Sequence, residues 1–247
     1  MVCSITSILR CASALPQLIE SLPSEETIVI NPSFCNLSPA VMADFDSICL
    51  DVRFPKGATL FKENEIGDRV IVVCSGLVKV SCTSQAGRVL VLKFARSGDV
   101  LGLSAAMSSS PFEASAETLA PVTTKTVRRS DFLSFLLRHD EARMKTVEVL
   151  SNDYRSAVIN VRRLALSNDV AARIASILVG WGTESSGHES KMHITMDISH
   201  EDLAGFAGTT RETVSRVLGS FQKNNLIKVQ GNSFVILLPD KLSQLYA

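Results

Sequence analysis

The chain has no surplus charge of either sign. Its 25 Lys and Arg balance 25 Asp and Glu, and its pI is about 6.9. Bulk charge therefore gives no reason to expect a nucleic-acid partner. It has no long apolar run either, which argues against a membrane-spanning helix. The six cysteines (Cys3, Cys11, Cys35, Cys49, Cys74 and Cys82) contain no Cys-x-x-Cys spacing and no close Cys/His cluster. Zinc and ordinary iron–sulfur frameworks are thus unsupported, and reduced, mostly structural thiols are expected. The four histidines, 139, 188, 193 and 200, are scattered and form no metal or haem set. No Gly-x-Ser-x-Gly elbow, His-Glu-x-x-His pair, phosphate loop or paired acid/base motif is present, so nothing argues for an enzyme or a catalytic residue. Residues 1–33 offer one Arg and no continuous apolar core, unlike a targeting peptide. Ile5, Ile8, Leu9, Ala12 and Leu15 are spaced for a short amphipathic helix that SLPSEE then breaks.

What the sequence does have is concentrated near its end. Ser199 to Asn225, SHEDLAGFAGTTRETVSRVLGSFQKNN, predicts two short helices. Ser199 with Asp202 suits a helix cap, Leu203 and Phe206 supply an inward face, and Gly208 ends the turn. Thr209 with Glu212 predicts a second cap, followed by Val214, Val217, Leu218 and Phe221 at 3- and 4-residue spacing. Arg211, Glu212, Ser215, Arg216 and Ser220 then face outward. Arginine donates in pairs to guanine and a carboxylate accepts from cytosine, so this face suits a major groove. A solvated face on an ordinary helical hairpin is the alternative. Leu226 to Leu238 favours the first reading, because it alternates into two strands around Gln-Gly-Asn like a wing beside a recognition helix. Locally, Arg211, Arg216, Lys223 and Lys228 outnumber Glu212.

Upstream, 46% apolar composition over 247 residues is enough for one large or two modest cores. SPAVMADFDSI reads as a helix with Ser38 at its cap and Pro39 in its first turn. Short strands follow in DVRFPKGATLF, DRVIVVCSGLVKVSC, GRVLVLKF and TTKTVRR, punctuated by glycines at 57, 67, 76, 87, 98 and 102. The fold class expected is α+β, with an N-terminal double sheet of jelly-roll type that has room for a ligand or a filled core. Helical sequence opens at Ser130. Val147, Leu150, Tyr154, Ala157, Val161 and Leu164 form a seam that suits a helix partner, a helix packed on its own roll being the alternative. Asn168-Asp169 reads as a hinge, Ala171 to Trp181 as a helix, and MHITM as a strand. The expected division is 1–33 extension, 34–138 roll, 139–168 long helix and hinge, and 169–247 winged helix-turn-helix.

GTTRETVSRVLGSFQKNNLIKVQG resembles the DNA-binding end of the Crp/Fnr regulators, and PKGATLFKENEIGD with SGDVLGLSAAM resembles their cyclic-nucleotide-binding roll. The resemblance implies a bacterial, cytoplasmic transcription regulator whose long helix pairs with its twin in a homodimer. Its partners would be an inverted-repeat double-stranded DNA site and RNA polymerase. It implies base reading by Arg211, Glu212, Ser215 and Arg216, and backbone contacts by His200, Thr210, Thr213 and Lys223. A cyclic-nucleotide-binding module without DNA binding is the alternative function. The sequence departs from the family in GDVLGLSAAMSSSPFEASAE. Gly102 is kept, but Leu103 replaces the glutamate that would hold the ribose, beside Ser104. The arginine for the phosphate falls on Glu113 or Ala114, next to Ser115. Val158 and Ile159 stand where hydroxyls would face the base. Neither cyclic AMP nor any other cofactor or metal is therefore assigned.

Overall fold

The computed structural model describes residues 36–167, 169–186, 192–195, 198–230 and 233–244. The helix expected at Ile5 to Leu15 and the Asn168 part of the hinge lie outside them. Helix α1 (Pro39–Ile48) begins with proline, whose missing N–H costs nothing in a first turn. Ser38 sits at its cap position, but its hydroxyl caps nothing. Its N–H and Oγ both donate to the Glu141 carboxylate at 2.7 Å, which ties α1 to a later helix.

Eight short strands follow: β1 (Leu50–Phe54), β2 (Thr59–Phe61), β3 (Arg69–Ser75), β4 (Val78–Thr83), β5 (Val89–Ala95), β6 (Val100–Leu101), β7 (Ser115–Thr118) and β8 (Val122–Arg128). They make the double sheet that the strand pattern predicts, two antiparallel sheets ordered β1-β8-β3-β6 and β2-β7-β4-β5, with β6 and β7 added to the strands read from the sequence. The continuous apolar run of β3 explains its central place, since a strand buried on both faces needs no alternation. Ile71 and Val73 join Phe61, Phe112 and Val122 between the sheets, while Val70 and Val72 face Phe45, Phe132 and Phe135 on helices outside. Helix α2 (Leu103–Ser108) opens at Gly102, whose φ of +75° favours glycine; a Cβ there would meet Phe112 at 2.7 Å.

Helix α3 (Arg129–Arg138) leads into α4 (Asp140–Leu166), a helix of 27 residues. Ala142, Thr146 and Val149 bury its first part against the roll, and its later turns stand largely in solvent. Then come α5 (Val170–Ser186), β9 (Met192–Thr195), α6 (His200–Ala207), α7 (Arg211–Lys223), β10 (Ile227–Gln230), β11 (Ser233–Ile236) and α8 (Pro239–Ser243). The last three strands pair antiparallel in the order β10-β11-β9. Among the described residues no helix is long and apolar enough to cross a membrane.

One apolar cluster joins the roll to the C-terminal helices. Ile174, Leu178, Trp181, Leu203, Phe206, Val214, Leu218, Phe221 and Phe234 share it with Leu77, Val91 and Leu119 of the roll. Gly205 lets α6 lie on β5, because a Cβ there would sit 2.9 Å from a Val91 methyl.

Candidate nucleic-acid interface and sensor cavity

The helix pair is fixed by caps at both starts. Ser199 accepts from the Asp202 N–H at 3.0 Å while Asp202 accepts from the Ser199 N–H, the reciprocal box expected from the sequence. Gly208 closes α6 at φ +63°. The second cap falls one residue later than expected. Thr210, not Thr209, accepts from the Thr213 N–H, and Thr209 donates its own N–H to Ala204 within the turn. Glu212 is therefore the second residue of α7 rather than the far half of a box. Its own free N–H and the Thr210 hydroxyl hold its carboxyl below the usual range, so it remains an acceptor.

Val214, Val217, Leu218 and Phe221 are buried, which leaves Arg211, Glu212, Ser215, Arg216 and Ser220 exposed. The side chains of Arg211, Arg216, Lys223 and Lys228 make no hydrogen bond or salt bridge among the described residues, and Arg211 acts on the Glu212 carboxylate only through its charge. Of the expected backbone contacts, Thr210 and Thr213 meet each other at the start of α7, with hydroxyls 3.1 Å apart, and Lys223 ends the helix. His200 opens α6 and reaches across to α7, where its Nδ1 lies 2.8 Å from Ser215 Oγ. β10 and β11 pair beside α7, as a wing would.

The α6–roll contact also carries charge and aromatic rings. Lys79 reaches Asp202 at 3.1 Å and Glu117 at 3.2 Å. Burial works to lower the Lys79 ammonium, but these two carboxylates outweigh it and hold it above its ordinary value. Phe94 meets Trp181 and Phe206 with ring centroids 5.7 and 5.5 Å apart. Arg163 of α4 stacks over Phe206 at 4.7 Å, and burial pushes its guanidinium down to about 10, still charged at neutral pH.

Inside the roll is a cavity of about 140 Å³, lined in part by Gly102, Leu103, Ser104, Glu113 and Ala114. Three residues assigned to it do not line it. Ser115 turns its hydroxyl to the Glu63 N–H, and Val158 and Ile159 lie exposed on α4. Residues not assigned to it line it as well, the charged Lys93 and Asp153 among them. Lys93 Nζ lies 3.1 Å from Asp99 and 2.9 Å from Asp153, so the cavity's cation is held between two carboxylates. Desolvation alone would lower Lys93; Asp99 and Asp153 reverse that and raise it. A lysine within the apolar run VLVLKFA is the one sequence sign of this buried pair. Glu113 accepts from Ser104 Oγ at 2.8 Å.

The seam on α4 is only partly free. Val147, Tyr154, Ala157 and Val161 are exposed, Tyr154 by 74% and Val161 by 64%. Leu150 packs on the roll's helical layer, and Leu164 packs on Gly208, because both lie toward the chain's own core. Met144 and Val158 extend the exposed side instead, giving an apolar stripe at 144, 147, 154, 158 and 161.

Residues 172–245 match the model of the Crp-like helix-turn-helix domain, and residues 51–139 that of the cyclic nucleotide-binding domain. The chain is 28% identical over 215 residues to the CRP-like cAMP-activated global transcriptional regulator of Mycobacterium tuberculosis, covering 85% of this chain and 94% of that one. It is 30% identical over 224 residues to the transcriptional activator protein Anr of Pseudomonas protegens, covering 85% and 90%. The fold is similar to that of FixK2 from Bradyrhizobium japonicum, with a TM-score of 0.72, 22% identity, and coverage of 81% of this chain and 98% of that one.

Proposed function

Because the chain belongs to the Crp/Fnr family of DNA-binding transcription regulators, we propose that it acts as a homodimer on an inverted-repeat site and that cyclic AMP is not its switch. The observation that carries the first part is the exposure of Arg211 and Arg216, whose side chains make no hydrogen bond or salt bridge among the described residues, on a helix whose opposite side is sealed in the core. Arg211, Glu212, Ser215 and Arg216 read base edges, while His200, Thr210, Thr213 and Lys223 hold phosphates and set register. The apolar stripe of α4 pairs with its copy, so that two α7 helices meet successive major grooves. Arg211, Glu212 and Arg216 match the readers of the catabolite-activator branch, which implies a G-T-G-A-like half-site whose outer bases Ser215 alters. The site of action is the cytoplasm, with RNA polymerase as the further partner. Selection from a random DNA pool is expected to return an inverted repeat bound with steep salt dependence. Recovery of no repeat, or a flat salt response, would overturn the reading.

The sensor reading rests on charge and size. A cyclic phosphate needs a free cation. Among the described residues the one cation lining the cavity is already held by two carboxylates, and Glu113 adds a third negative group. A desolvated phosphodiester there would cost several kcal/mol that stacking cannot offset. The volume also falls short of the roughly 300–1,000 Å³ of ordinary ligand sites. The roll therefore takes a small uncharged or cationic effector, or none. Titration calorimetry with cyclic AMP and cyclic GMP is expected to be silent. Micromolar binding that raises DNA affinity would sink this reading and leave the DNA-binding one intact.

A further inference from the structure

We propose that His200 is a positioning residue for base selection, which it controls by fixing whether Ser215 donates or accepts. The proposal rests on the reading of α7 as the recognition helix and goes one step further. Ser215 is exposed between Glu212 and Arg216 on the reading face, and a free serine hydroxyl there would be indifferent, since it both donates and accepts. Here it is not free. His200 Nδ1 lies 2.8 Å from Ser215 Oγ, and the two side chains come from different helices.

Both backbones are fixed. The Ser199–Asp202 box sets the start of α6, the Thr210 cap sets the start of α7, and the buried Leu203, Phe206, Val214 and Leu218 hold the helices together. With its backbone placed at the first turn of α6 and Nδ1 turned to Ser215, the His200 ring has only Nε2 left for the DNA. A phosphate oxygen only accepts, so a neutral imidazole that contacts one carries its proton on Nε2 and leaves Nδ1 bare. The Ser215 hydroxyl then donates to Nδ1, and its remaining lone pairs face the groove. An acceptor in the major groove meets the exocyclic amino groups of adenine and cytosine and is unfavourable opposite the oxygens of guanine and thymine. A backbone contact, which carries no sequence information by itself, thereby sets the sense of a base contact.

Two near-isosteres separate the two ring nitrogens. The asparagine amide oxygen reaches where Nδ1 lies, and the glutamine amide reaches where Nε2 lies. Affinities of the full-length protein would be measured by anisotropy on a selected inverted repeat and on variants carrying each base at each symmetric half-site position. The wild type is expected to prefer adenine or cytosine over thymine and guanine by about five-fold at one position, from a single hydrogen bond. Ser215→Ala flattens that position alone. His200→Asn keeps the preference but weakens binding to all sequences by a common factor, whereas His200→Gln flattens the preference and weakens the overall affinity less than His200→Asn does. Equal behaviour of His200→Asn and His200→Gln, or a preference for guanine or thymine at the Ser215-dependent position, overturns the proposal. Failure of the wild type to bind any inverted repeat overturns the parent reading instead.

Discussion

The roll and the recognition helix treat charge in opposite ways. In the roll, Lys93 is held between Asp99 and Asp153, and Glu113 accepts from Ser104, so among the described residues no cation lining the cavity is left to receive an anion. On α7, Arg211 and Arg216 stand exposed with no side-chain hydrogen bond or salt bridge among the described residues, and the acidic neighbour on that face, Glu212, is held first by its own N–H and Thr210 and only weakly by the charge of Arg211. A cation already paired in a desolvated site gains little from a new anion, while an exposed arginine keeps its donors for whatever arrives. The difference tells where an anion is expected to bind: the polyanion at α7, and no phosphate in the roll.

The largest expected effect tests whether α7 can read DNA alone. Val161→Glu places an unpaired carboxylate in the apolar stripe of α4. Light scattering is expected to show monomers, and DNA affinity to fall on the order of 100-fold or more although no charge on α7 has changed. A full-affinity monomer would remove the homodimer from the reading. Next, Arg216→Ala takes away one free cation. It is expected to cost about 1–3 kcal/mol in binding and relax one base position, with a shallower salt slope if a phosphate contact is lost too. An unchanged base profile would mean that the exposed arginine is a solvated one.

A third test concerns the joint between the two regions. Lys79→Met leaves Asp202 and Glu117 without their shared cation beside the roll. It is expected to lower the urea unfolding free energy by about 1–3 kcal/mol, and a change under about 0.5 kcal/mol would mark the pair as ornamental. The smallest effect comes from making the roll behave like α7. Asp153→Asn removes one of the two carboxylates on Lys93 and is expected to bring weak, millimolar anion binding, measured with cyclic AMP by calorimetry against a silent wild type. Silence in the variant as well would assign the refusal to cavity size rather than to charge.

Much of this was legible because local rules and tertiary packing agree. The Ser199–Asp202 box, the Gly208 stop and the buried series from Val214 to Phe221 follow from spacing alone. The second cap was not legible, because Thr209 and Thr210 cap equally well by type. What decides between them is the hydrogen bond from Thr209 N–H to Ala204, which belongs to the preceding turn. Ser38 gave the right helix start and the wrong partner, since Glu141 lies about a hundred residues away in sequence. Lys93 within an apolar strand signals a paired charge, but Asp153 is on another element and no local pattern connects them. Leu150 and Leu164 fit the seam by period; contacts with the roll's helical layer and with Gly208 turn them inward.

The cluster that holds Leu77, Val91 and Leu119 together with Trp181, Leu203 and Phe206 has a consequence for how the molecule comes apart. Two regions that share a core do not melt separately. Loss of either exposes the apolar side of the other, and the free energy of that exposure couples their unfolding. A cut at Ser167 follows the sequence motifs but not the boundary of a cooperative unit. The excised reader carries bare Phe206 and Trp181 into water, and its natural fate is to fray or to stick to itself.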